Sequence, residues 1–249
     1  MSTAVMTQPI RAKSPRFQAR IAGVFYLLNI LTIFVAIFFL RGLVVSRDPA
    51  ATASNLLAHE SSFRLGFTLE LISTMCSIVV AALFYELFRP VSRSLSLLAA
   101  FFRLIACAVA VLGYLFQLAP LQALGSAHYL STLTMEQLEA LGLLLYTFSA
   151  QASHIVIVFF GFHFVVLGYL IFASSYLPRT LGILAAFAGL GALAFGGLTF
   201  LAPTPGGYPF PYFAVLGLLT EVSLSLWLII AGVNAERWKE QVNAASIPS

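Results

Sequence analysis

Charge is what this sequence has least of. Only 9% of its 249 residues are Asp, Glu, Lys or Arg, against about 25% in soluble domains. So few charges cannot furnish a water-facing surface, and the mean hydropathy of +0.97 agrees. Cysteine is nearly as scarce. Cys76 and Cys107 both fall inside apolar runs; they lack zinc-type spacing, and of a disulfide between them or two buried free thiols the sequence favours the thiols. No HxxxH, HExxH, GxSxG or P-loop pattern is present, so no motif announces a metal, an activated nucleophile or any cofactor. The net charge of +4 does not point to nucleic acid, because the basic residues flank apolar runs instead of forming one face.

What the sequence has in abundance is long apolar runs. They predict an all-α fold: a polytopic membrane helical bundle of six transmembrane helices, near residues 21–40, 64–88, 95–118, 146–172, 181–201 and 212–233. Arg11, Lys13, Arg16 and Arg20 precede the first run as in a signal peptide. The run is too long for a signal core and lacks an A-x-A-like end, so it reads as a retained span. Asp48 followed by Pro49 predicts an N-cap and a short helix between the first two spans. Thr134 and Gln137 fit a capping box, and the helical pattern they start is too long for a bilayer. It must either project or break, with residues 149–153 as the candidate bend. Ala188, Ala192 and Gly196 recur every four residues, as in close helix contacts. The domain reading is a flexible cytoplasmic tail at 1–19, a transmembrane domain at 20–235 and a cytoplasmic tail at 236–249. Both termini are placed in the cytoplasm because most basic residues outside the spans then lie inside.

Several segments together resemble a known family. They are Arg20-Ile21-Ala22-Gly23, Phe63-Arg64-Leu65-Gly66-Phe67, Arg89-Pro90-Val91 running into Phe101-Phe102-Arg103-Leu104, Phe160-Gly161-Phe162-His163, Gly168-Tyr169, Leu177-Pro178-Arg179 and Glu221-Val222-Ser223. The set is similar to a bacterial family of multi-span membrane proteins catalogued only as a domain of unknown function. The resemblance implies a helical bundle in the plasma (inner) membrane and implies no activity.

The candidate site is a set of polar residues inside the spans. Arg103 is the single charge in the third span, and intramembrane charges face the bundle interior and have partners. It heads a stripe with Cys107, Ala110, Tyr114 and Gln117. Glu70, Ser73, Thr74 and Ser77 share a face of the second span. Counting residues from the span ends puts Arg103, Glu221, Asn29 and His163 near one depth, with Glu70 nearer the outside. Glu221 is therefore the expected partner of Arg103, and Glu70 the second choice. His154 and His163, nine residues apart, point in opposite directions and cannot share a metal. His59 and His128 fall in connectors and read as solvated. The leading functional reading is a small transporter or ligand-binding membrane protein, taking a small polar or anionic ligand or an ion. A structural or partner-binding subunit and an intramembrane enzyme are the alternatives. The lipid bilayer is the expected partner, nucleic acid is not, and a homo-oligomer is compatible with the pattern.

Overall fold

The computed structural model describes residues 14–45, 47–125, 132–202 and 212–245. The expectations for residues 1–13, His128 and the turn after Ala202 fall outside them. Eight helices follow in order: α1 (Pro15–Leu40), α2 (Pro49–Ala58), α3 (Glu60–Phe88), α4 (Arg93–Ala123), α5 (Met135–Ala173), α6 (Arg179–Leu201), α7 (Tyr212–Ile230) and α8 (Ala235–Ala245). The described residues contain no strand. Five helices, α1, α3, α4, α5 and α6, are long and apolar enough to cross a bilayer. The pair α7 and α8, bent by 101° at its break, supplies the sixth when taken as one span.

Local chemistry sets the ends. Proline opens α1 and α2, where no intrahelical N–H is needed. Asp48 Oδ1 accepts from the Ala51 amide at 2.9 Å, and Ser92 caps α4. Thr134 and Gln137 form the expected capping box. Helix α5 is not interrupted at residues 149–153. It is one helix of 39 residues, about 58 Å long against a bilayer core of about 30 Å, so it projects. The serines do not break it because their hydroxyls turn back onto their own helix: Ser149 donates to the Tyr146 carbonyl at 2.8 Å and Ser153 to that of Ser149 at 3.1 Å. The polar segment expected as a C-terminal tail contains α8. Gly232, at φ +66°, turns the chain from α7 towards it.

The long helices close a ring: α1 packs on α3, α3 on α4, α4 on α5, α5 on α6, α6 on α7, and α7 on α1. The outside of the ring is apolar, with Phe38 76% and Ile230 73% exposed. Charge and hydrogen-bonding groups point inward, the arrangement suited to lipid. The described N-terminal end and α8 share one end of the ring, since Arg16 Nε donates to the Val233 carbonyl at 3.4 Å. This α8 face is tied together at the end of α3. The Leu87 carbonyl has no partner within its own helix. It accepts from Tyr176 Oη at 2.8 Å and from Trp238 Nε1 at 3.1 Å, drawing in the α5–α6 link and α8. Tyr176→Phe should cost about 1 kcal/mol while Trp238 still donates. Adding Trp238→Phe should cost more than the two single changes summed, as read by thermal unfolding in micelles.

Candidate functional site

Helical phase turns Arg103 fully inward, with 0% of its surface exposed. Its Nε donates to the Ser77 carbonyl at 3.2 Å and to Ser77 Oγ at 2.9 Å. Its Nη1 meets His163 Nε2 at 3.2 Å. Arginine has no lone pair to offer, so His163 Nε2 accepts and Nδ1 carries the proton, which it donates to the Ala99 carbonyl at 2.9 Å. His163 is thereby held as one neutral tautomer, with both ring nitrogens engaged. The rings of Tyr26 and Phe160 face the guanidinium at 4.9 and 5.5 Å. Nη2 has no hydrogen-bond partner among the described residues.

Arg103 and Glu221 do not form the expected ion pair. Among the described residues the ion pairs are Arg64 with Glu60 and Arg89 with Glu86, both at exposed helix ends. Between Arg103 and Glu221 stands Tyr26, which offers its ring to the guanidinium and donates its hydroxyl proton to Glu221 Oε1 at 3.2 Å. Residue counts give a position along each helix and not a direction around the ring. Glu70, the second choice, lies elsewhere: its Oε2 accepts from Gln117 Nε2 at 2.8 Å. Asn29 Nδ2 donates to the carbonyl and Oγ of Ser73, both at 2.8 Å, tying α1 to α3. The five candidates therefore separate into an Arg103–His163 layer with Glu221 at its edge, an Asn29–Ser73 tie, and Glu70 with Gln117.

Two residues of the arginine layer, Tyr26 and Phe160, were not singled out from the sequence. A signal was there: each lies three residues before an intramembrane polar residue, Asn29 or His163, on the same helical face.

Above the layer are two cavities. One, of about 410 Å³, is lined mostly by apolar side chains, with Asn29, Ser73, Thr74, Ser77, Cys107, Tyr114 and Glu221 as its polar groups. Glu221 is half-buried, and the oxygen not bonded to Tyr26 has no partner among the described residues. The other, of about 520 Å³, is lined by Glu70, Gln117, Tyr146, Ser149, Ser153 and His154 among others. Both are bounded by Ile157 and Ala214. Arg103 lines neither. Among the described residues no group of His, Cys, Asp and Glu could hold a metal ion. Cys76 and Cys107 are both free and buried.

An apolar exterior around an interior with a buried arginine, two carboxyls and a cavity defines a polytopic integral membrane protein. The chain belongs to the family described as domain of unknown function DUF4386, which matches residues 21–232. It is also similar to an uncharacterized protein of Archaeoglobus fulgidus, 28% identical over 158 residues, covering 62% of this chain and 76% of that protein. No solved structure matches it.

Proposed function

We propose that this protein binds a small amphiphilic molecule within the membrane, as a transporter or ligand-binding protein of the plasma membrane. The ligand's apolar body fills the 410 Å³ cavity and a hydrogen-bond-donating or cationic end meets Glu221. The observation that carries this reading is the free oxygen of Glu221 at the edge of that cavity. Such a site favours a donor or cation over the anionic ligand first considered, because Arg103 is enclosed by Tyr26, Phe160, His163 and Ser77. A purely structural role for the cluster would be better served by a filled interior. The α8 face is the cytoplasmic one in this proposal, since Arg16, Arg20, Arg89, Arg93, Arg179, Arg237 and Lys239 lie at that end.

The test is binding of octylamine, with octanol as the uncharged control, to protein in lipid nanodiscs. Glu221→Gln should weaken octylamine binding about 10- to 100-fold, the worth of a charged hydrogen bond, and leave octanol unchanged. The amide still accepts from Tyr26, so the melting temperature should barely move. Equal amine affinity in the two proteins would remove Glu221 from the site.

A further inference from the structure

The second cavity belongs to no part of the reading above. By residue count, Glu221, Arg103 and His163 stand roughly 15 Å from the α8-face ends of their helices, and Glu70 about 27 Å. The 520 Å³ cavity at Glu70 therefore lies between the Glu221 cavity and the α2 face, as a vestibule to it. Ile157 and Ala214 border both, so the two cavities adjoin there.

The vestibule wall is rich in acceptors. Glu70 has one oxygen bonded to Gln117, and its other oxygen has no partner among the described residues. The hydroxyls of Ser149 and Ser153 donate to their own helix, which leaves their oxygen lone pairs available as acceptors. His154 Nδ1 is buried without a hydrogen-bond partner among the described residues. No lysine or arginine lines either cavity. Glu70 has no lysine or arginine among the described residues of the vestibule wall, and its carboxylate there attracts positive charge.

The other end is closed. Below Glu221 lies the Arg103–His163 layer, and the cavity beside His163 holds only about 10 Å³. Beyond it are the packed side chains of Phe84, Phe88, Leu170 and Tyr176.

We infer that organic cations enter from the α2 face, bind first at Glu70 in the vestibule, and pass Ile157 and Ala214 to reach Glu221. This rests on the Glu221 cavity being a binding site. The path runs beside the Leu43, Leu56 and Phe63 cluster, on which Leu40 and Tyr146 of the vestibule wall pack, and it is sealed towards the α8 face.

Thiol chemistry tests it in nanodiscs, on protein carrying Cys76→Ala and Cys107→Ala. Ser153→Cys puts a thiol in the vestibule. Gly217→Cys puts one at the inner cavity, where an added Cβ meets nothing within 4 Å. The cationic trimethylammonium-ethyl methanethiosulfonate should modify the vestibule thiol about tenfold faster than the anionic sulfonatoethyl reagent. Glu70→Gln should bring the two rates together. Ser153→Trp should slow modification of the Gly217→Cys thiol by the cationic reagent about tenfold, without changing the melting temperature, because Ser153 is exposed. Equal rates for the two reagents before Glu70 is changed would overturn the cation station. An unslowed inner thiol behind Ser153→Trp would overturn the route. Octylamine binding that survives Glu221→Gln would instead sink the cavity reading, so the two failures are distinguishable.

Discussion

Alanine at Gly182 is expected to unfold the α5–α6 pair, although it adds only one methyl group. A Cβ at Gly182 would stand 2.6 Å from the Gly168 carbonyl oxygen and 2.7 Å from the Phe172 nitrogen. The same holds in reverse: a Cβ at Gly168 meets the Gly182 carbonyl oxygen and the Ala186 nitrogen, each at 2.7 Å. One repeat along, Gly161 and Gly189 face each other similarly, the Gly189 Cβ meeting the Gly161 carbonyl oxygen at 2.7 Å. In lipid no hydrophobic effect draws helices together, so close backbone approach supplies the attraction. Backbone atoms cannot step aside as a side-chain tip can, so the helices must separate along their contact. The cost should lie at or above the upper end of the about 1–3 kcal/mol typical of overpacking. Gly182→Ala with Gly168→Ala should yield no monodisperse protein on size-exclusion chromatography. Gly217→Ala, facing open space, is the control and should melt as the parent does. Parental melting of the Gly182→Ala protein would refute the close approach.

Arg103→Met should cost about 3–5 kcal/mol, because two charge-assisted hydrogen-bonded contacts disappear and His163 Nε2 is left buried without a donor. Arg103→Lys should not restore it, since an ammonium cannot serve Ser77 and His163 as the planar fork does. The informative measurement is a pair of double-mutant cycles. Coupling between Arg103 and His163, measured with Arg103→Met and His163→Leu, should be about 1–3 kcal/mol. Coupling between Arg103 and Glu221, measured with Arg103→Met and Glu221→Leu, should fall below about 1 kcal/mol, because Tyr26 separates them. An ion pair would give the reverse order, with the Arg103–Glu221 double variant regaining most of what each single change lost. Unfolding in mixed micelles reads all four free energies.

Glu221→Gln separates these structural effects from binding. It leaves the arginine layer intact and alters only the group at the cavity. A variant that melts normally and no longer distinguishes octylamine from octanol would assign the layer to holding helices and the carboxyl to the ligand. The family match over residues 21–232 covers both.

Much of this protein is decided along the chain. Apolar runs with few charges can be satisfied only by helices in lipid, because each helix closes its own backbone hydrogen bonds. The caps at Asp48 and Thr134 depend on neighbours three residues away, and both formed as their local chemistry required. The inward faces of α3 and α4 follow from 100° per residue, which puts Ser73, Thr74 and Ser77 on one side and Arg103, Cys107 and Gln117 on the other. Even the common level of Arg103, His163 and Glu221 came from counting residues at a fixed rise. The partner of Arg103 did not. Rise and phase describe each helix about its own axis, whereas a side chain's neighbour depends on which helices adjoin and how closely their backbones approach. The ring order that sets Tyr26 between Arg103 and Glu221, the glycine contact of α5 with α6, and the cavity left above Glu221 are properties of six helices packed together. Tertiary packing alone decided them, and it turned the expected ion pair into an enclosed arginine and a carboxyl left facing a void.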